Sequence, residues 1–507
     1  MKKSCFLSWI VIIAAALLLS GCKKEREYRD ALPNSAQAVI SVNLMDMLAK
    51  AGTENLKDAK LKQSVLQGLS PQTKELVSRI FDNPSASGIA FADPIYFFSE
   101  ENNSMGGALM KVGKLSDLEK LMDALKTEGV ISEIKSQDHY QTAYFPNNKT
   151  ICVYDEYRLL CLTVNGAVSS ESLLSNADVL LKQTGKQPLQ DAVGFNKFLV
   201  QKSDIGFWFS SDIFSGINPS MIALPKTLQQ YKYNSVGGIL FETGKIAGEM
   251  ISYPTDEVSK KQLEEFRSIY GKMDGIFFNR VPQESVLNWG VHINNLVPVY
   301  DILRQQPQFD SLMQQAKSSA QDFEKMLTSI KGDIFLDISS LEAAGLPKMS
   351  LMVQVTDTSI ADYLMNYLKG MGLPVIQVND SLYTVAGIVS IYTTGREFVI
   401  TTDQKVIEAM SNGISPSFAD SPLAKTYMDN NSLFFVDVNK IMSSPMIAML
   451  KQNNPNFGLT QTALAQISSI ETVSTGIETM KFEVNMINTK DNSLKVIIDT
   501  AKSIAGQ

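Results

Sequence analysis

Apolar and polar positions recur in one order along two separated stretches of this chain. Residues 39–44 and 287–293 read as strands, and each runs into a helix, over 45–50 and 295–303, that opens on polar residues. Residues 55–81 and 301–330 carry helical spacing, interrupted by Pro71 and Pro307. The blocks that begin at Gly88 and Gly332 predict strands. So do 108–112 and 351–355, each leading into a helix that starts near Ser116 or Ser359. In the first of these helices Leu118, Leu121, Met122 and Leu125 follow the i, i+3, i+4, i+7 spacing of one buried face. Hairpin-like pairs follow, 140–154 with 158–164 and 382–393 with 396–402. A further helix and a group of strands close each stretch, the last strands being 245–253 and 494–500. Single helices interleaved with closely connected strands predict an α+β fold: a mostly antiparallel sheet with helices packed on one face.

The order is shared because residues are shared. Val112, Ser116, Leu121-Met122 and Leu125-Lys126 recur without a gap as Val355, Ser359, Leu364-Met365 and Leu368-Lys369. Tyr154, Arg158 and Thr163 fall on Tyr392, Arg396 and Thr401; Pro33, Val42, Leu44 and Met47 fall on Pro282, Val291, Ile293 and Leu296. The offset falls from 249 through 244 and 243 to 238, as small loop deletions in a tandem duplication would make it. Copy one is expected over 33–253 and copy two over 282–507. Between them lies a joint, 254–281, whose middle still reads as helix.

Three aromatic runs break the in–out alternation of strands: Tyr96-Phe97-Phe98, Phe207-Trp208-Phe209 and Phe434-Phe435. Successive strand residues point to opposite faces, so at least one ring per run lies away from a helix-covered face. Either a second layer covers that face, or it is an apolar or sugar-stacking groove.

The N-terminal pattern differs. Lys2 and Lys3 precede a 14-residue, nearly unbroken apolar run from Phe6 to Leu19, short for a membrane span but suited to an export signal. Leu17-Leu18-Leu19-Ser20-Gly21-Cys22 closes it as a lipobox, so residues 1–21 are expected to be a signal peptide and Cys22 the lipidated residue. Residues 22–32 then form a charged tether. Loss of the signal changes the formal charge from −7 to −9. An acidic chain without basic clusters argues against a nucleic-acid partner. The expected place is the cell envelope, lipid-anchored to the outer membrane and facing the periplasm, with surface exposure as the alternative.

Little in the sequence carries chemistry. The two histidines, His139 and His292, lie in different copies without ligand spacing around them, and no metal or cofactor site is expected. No nucleophile elbow, phosphate loop or dinucleotide fingerprint occurs. Asp93 and Asp337 form a matched acidic pair at strand ends, and Arg158 and Arg396 follow hairpin turns, where cap duty and a solvated charge are the default readings. Asp155-Glu156 sits on a turn. Cys152 and Cys161 flank a hairpin whose two-residue turn would set them opposite each other, so they are a candidate disulfide, or else two packed thiols. Copy two has Ser390 and Val399 at the matched positions, so the fold does not require the bridge.

The lipobox and tether, followed by Ala31-Leu32-Pro33 and Ala38-Val39-Ile40-Ser41-Val42-Asn43-Leu44, resemble a family of lipoproteins of gut anaerobes, domain of unknown function family 4836. The segment Gly395-Arg396-Glu397-Phe398-Val399-Ile400-Thr401-Thr402 fits the same style. The resemblance implies placement and fold over nearly the whole mature chain and brings no catalytic residues. The expected role is non-enzymatic: binding a protein or glycan partner, or organising envelope components. The alternative is a glycan-directed envelope hydrolase using unidentified carboxylates.

Overall fold

The structure, a computed structural model, describes residues 27–52, 62–63, 66–100, 105–137, 139–146, 149–164, 170–183, 188–214, 231–304, 309, 320–342, 346–453 and 457–505. Two compact units divide the chain, Met1–Val39 with Lys57–Ala192 and Ile40–Leu56 with Val193–Gln507. Strand β1 (Ala38–Val42) crosses that division.

The first unit holds β2 (Ile95–Ser99), β3 (Met105–Lys111), β4 (Glu133–Ser136), β5 (Gln141–Tyr144), β6 (Thr150–Tyr154) and β7 (Arg158–Val164). They form an antiparallel sheet in the order β2-β3-β7-β6-β5-β4. Helix Leu115–Thr127 buries Leu118 and Met122 against Ala143, Cys152 and Tyr154, with Leu121 and Leu125 at the edge of that core. This is the face its apolar spacing predicts. The opposite face is covered too. Ile151, Val153, Leu160 and Leu162 are fully buried, and helix Ser170–Lys182 packs on β6 and β7. Helices on one face only was therefore too simple. The consecutive apolar run Ile151-Cys152-Val153-Tyr154 fills both faces, as a doubly covered strand must.

The second unit holds β8 (Ile205–Ser210), β9 (Tyr233–Glu242), β10 (Lys245–Pro254), β11 (Tyr270–Gly271), β12 (Leu287–Ile293), β13 (Ile330–Ser340) and β14 (Lys348–Val355). It continues with β15 (Val375–Gln377), β16 (Leu382–Val385), β17 (Val389–Thr393), β18 (Glu397–Thr401), β19 (Ser432–Asp437), β20 (Ile467–Ser474) and β21 (Thr479–Met486). Its antiparallel order is β8-β9-β10-β21-β20-β19-β12-β13-β14-β18-β17-β16-β15. β1 pairs with β8. Lys50 holds the carboxylate of Asp204 at 2.6 Å. Cores lie on both faces here as well. Phe335, Met352 and Val399 point into one, Val353, Ile391 and Phe398 into the other.

Four local expectations change. Residues 494–500 belong to a helix, Ser493–Ala505, not a strand. Leu494 and Val496 are its buried apolar side chains, and Asn492 caps it by accepting from the Leu494 amide at 3.0 Å. That cap outweighs the β-branched run Val496-Ile497-Ile498. The Gly88 block follows a short helical turn, Pro84–Ser87, and only its Ile89 bridges to Val112, so the strand starts later, at Ile95. Residues 254–281 are built into the second unit. Asp256 caps helix Glu257–Ile269 by accepting from the Ser259 amide, and Met273, Phe277, Phe278 and Val281 then enter the core beside Phe335, Phe418 and Tyr427.

The fourth change is one of register. Ala108 pairs with Cys161 and Leu351 with Ile400; Cys152 faces Cys161 as Ile391 faces Ile400. The second-stretch positions that match the cysteines are thus Ile391 and Ile400, not Ser390 and Val399. By the same ladders Arg158 matches Glu397, and Asp337 matches Phe98 rather than Asp93. A one-residue slip moves a strand side chain to the opposite face, so matching by strand pairing and matching by identity give different partners.

Candidate functional site

The aromatic runs divide between the faces as alternation requires. Tyr96, Phe98 and Trp208 are buried, whereas Phe97 and Phe434 are exposed and Phe207 and Phe209 half-buried. In the second unit these outward rings belong to a larger surface. A cross-strand row runs from Ile239 through Gly248, Phe482, Thr472, Phe434 and Trp289 to Leu336, each directly opposite the next. Beside it lies a second row, Phe241, Ile246, Val484, Ile470, Val436 and Leu287. Phe207, Gly237, Met250 and Met480 begin a third. Thr472 is the one polar residue among these named positions. Phe434 is 37 % exposed, Trp289 and Met480 36 % each, and the remaining side chains of the first two rows are half-buried. A continuous apolar sheet face that keeps this much solvent contact marks an interaction surface.

The reverse face of the same central strands is charged. Lys481 meets Glu249 at 3.6 Å and Lys245 meets Glu483 at 2.7 Å. A groove of about 550 Å³ lies there, lined by Lys197, Gln201, Leu240, Glu249, Lys481 and Glu483. Along β10 and β21 the sheet therefore has a charged side and an apolar side.

A second constellation joins residues far apart in sequence. His292 on β12 lies opposite Asp333 on β13, and its Nδ1 is 2.8 Å from Asp333 Oδ1. The Asp274 carboxylate approaches the same nitrogen at 3.9 Å. Asp333 is fully buried and accepts from the backbone amides of Asp274 at 3.0 Å and Gly275 at 2.6 Å. Gly275 adopts φ +73°, a left-handed conformation, in the turn that aims both amides inward. The hydrogen bond to Asp333 favours the imidazolium and raises the His292 pKa against the opposing effect of burial. Searching for short-range ligand spacing missed this group. The pairing and register of β12 with β13, which the sequence alone did not give, set His292 against Asp333.

Other named residues separate. Cys22 lies outside the described residues. Cys152 and Cys161 are bonded at 2.06 Å across β6 and β7. His139 is exposed in a bend. Asp93 pairs with Lys111 at 3.1 Å in a turn. Asp337 instead sits within β13, buried beside Asn288, which donates to its Oδ1 at 2.8 Å; its Oδ2 has no hydrogen-bond partner among the described residues. Burial pushes this carboxyl up to about 7. Arg158 is buried, not solvated: it bonds Asp155 at 3.2 Å and donates to the Leu181 carbonyl at 2.5 Å. Arg396 is exposed, as expected of a hairpin turn.

Fold and surface together define an α+β protein with a large antiparallel sheet and one open apolar sheet face. The chain belongs to the family described as Domain of unknown function (DUF4836), whose profile matches residues 28–494. No curated protein matches it. Two solved structures, crystal forms I and III of TP0453, resemble it at 8 % and 9 % identity, covering 45 % and 46 % of this chain and 80 % and 84 % of theirs. Their TM-scores of 0.27 and 0.26 are too low to inform the fold. No helix among the described residues is long and apolar enough to cross a membrane.

Proposed function

We propose that this is an envelope lipoprotein, anchored to the outer membrane through Cys22 and facing the periplasm, that works by binding rather than catalysis. The observation that carries the reading is the open apolar face across β9, β10, β21, β20, β19 and β12. A partner with an apolar protein surface suits it best, and the adjacent Phe434 and Trp289 rings could also stack on a glycan. Asp333 does not suit the hydrolase alternative, because its buried oxygens are already engaged by two amides and His292.

The reading includes a tandem duplication of 33–253 and 282–507, joined by 254–281, that folds as an internal dimer. Phe207-Trp208 and Phe434-Phe435 provide matched starting points. Outward from Phe207 the ladder leads through Gly237 to Met250, and from Phe434 through Thr472 to Phe482. Met250 and Phe482 are thus equivalent, as are Gly248 and Met480. β10 and β21 pair so that Met250 faces Met480 and Gly248 faces Phe482. Such reciprocity is the mark of a two-fold interface.

Two experiments test the proposal in cells. A photoreactive residue at position 434 or 289 should yield an adduct whose mass distinguishes protein from glycan, whereas one at exposed Tyr157 should not. Absence of an adduct at both apolar sites would remove the binding surface. Cys22→Ala should carry no acyl mass and leave the membrane fraction; full membrane retention would place the anchor elsewhere.

A further inference from the structure

We propose that Asp274, His292 and Asp333 form a binding site for a divalent transition ion of the zinc class. Three segments bring one imidazole nitrogen and two carboxylates together, with one ligand atom from each within 4.8 Å of the others. A single Nδ1–H can bond only one carboxylate well, and Asp333 already holds it at 2.8 Å. The second carboxylate, 3.9 Å away, adds negative charge beside the first with no hydrogen bond of its own to that nitrogen. A cation between the three groups resolves that repulsion.

The spacing suits such an ion. Metal–ligand bonds of about 2.1 Å at tetrahedral angles set ligand atoms about 3.4 Å apart. The observed 2.8 and 3.9 Å straddle that value, and the Asp274 and Asp333 ligand oxygens lie within 4.8 Å of each other, so an inward shift of the Asp274 carboxylate completes the set. Asp274 is 58 % exposed and free to make its shift, while the amides of Asp274 and Gly275 fix Asp333 from behind as outer-shell donors. One nitrogen and two oxygens favour a borderline ion over calcium or magnesium. Binding replaces the proton on Nδ1. An imidazolium gives that proton to water; a neutral ring moves it to Nε2.

The fold itself does not demand this trio. In the duplication reading the first-copy counterparts of His292 and Asp333 are Asn43 and Pro94, which directly adjoin β1 and β2. Asn43 N donates to Asp204 O as His292 N donates to Asn431 O.

The test is calorimetric titration of the intact, chelator-stripped chain with zinc chloride, and separately with magnesium chloride. One zinc is expected per chain, with no comparable magnesium binding. Asp274→Asn keeps the His292–Asp333 bond and the backbone amides, so the unliganded melting temperature should not move. Its zinc affinity, like that of His292→Gln, should fall by at least about tenfold, since even outer-shell losses cost that much. His139→Ala should bind as the parent does. X-ray absorption should show one imidazole in an otherwise oxygen shell. No zinc binding up to roughly millimolar concentration, or equal binding by the Asp274 and His292 variants, would overturn the site and leave the trio a hydrogen-bonded latch.

Discussion

Glu249 of β10 lies directly opposite Lys481 of β21, and the flanking pairs Gly248–Phe482 and Met250–Met480 exchange roles about it. The β10–β21 ladder that holds these pairs runs from Lys245–Asn485 to Ile251–Thr479. Within this ladder a small residue meets a large one at Gly248–Phe482. A Cβ on Gly248 would sit 2.2 Å from Phe482 Cε1, so the ring occupies the space the glycine leaves.

Gly248→Val should therefore displace Phe482 and loosen the β10–β21 ladder. Overpacking of this kind costs about 1–3 kcal/mol. Urea unfolding measures it, and amide exchange in β10 and β21 should rise more than in β3 and β7. An unchanged midpoint would mean that the ring moves aside freely.

The two arginines that follow matched hairpins should behave oppositely. Arg158→Met strands the Asp155 carboxylate and the Leu181 carbonyl, a loss of about 3 kcal/mol or more for a broken buried pair. Arg396→Met, at an exposed turn, should stay within about 0.5 kcal/mol of the parent. Equal effects would contradict the burial difference.

How far the sequence carried is visible in these residues. Helix-face spacing placed Leu118 and Met122 in the first core, and Met365, with Leu364 and Leu368 packed against it, in the second unit's core. The aromatic runs revealed that a second sheet face mattered, and several strand and helix segments were legible from repeated strand–helix spacing. Register was not. Offsets taken from identities set Arg158 against Arg396 and Asp93 against Asp337, whereas the ladders set Arg158 against Glu397 and Phe98 against Asp337. Backbone hydrogen bonds, not residue identity, decide which face a strand position takes. The His292 group escaped because its ligands meet only after β12 and β13 pair.

Acidity should act through Asp337. Its carboxyl titrates at about 7 in the folded chain against an ordinary 3.8, chiefly because it is buried. Between those values the folded state holds a proton that the unfolded state has released, so this group's contribution makes stability fall as pH rises from about 4 to about 7, then level. Asp337→Asn removes that contribution. Its melting temperature relative to the parent should climb over the same window; a constant difference would show that Asp337 titrates normally.

Cys152 and Cys161 should resist alkylation in natively purified, denatured protein until a reductant is added. Closing so short a loop stabilises by roughly 2–3 kcal/mol on the chain-entropy account. Because Ile391 and Ile400 fill the matched positions, Cys152→Ile with Cys161→Ile should still fold. Immediate labelling of both thiols would show that no bridge forms.

The most direct measurement of the binding account follows Trp289, set among the half-exposed apolar rows while Trp208 is buried. In a Trp208→Phe chain purified without residues 1–21, Trp289 is the remaining tryptophan. Titration with the apolar dye 1-anilinonaphthalene-8-sulfonate should quench Trp289 and sensitise dye emission, saturably. Phe434→Glu with Phe482→Glu should abolish both while leaving the far-ultraviolet circular dichroism unchanged. An unquenched Trp289, or equal dye binding by the doubly charged variant, would contradict the assignment of this sheet face as the binding surface.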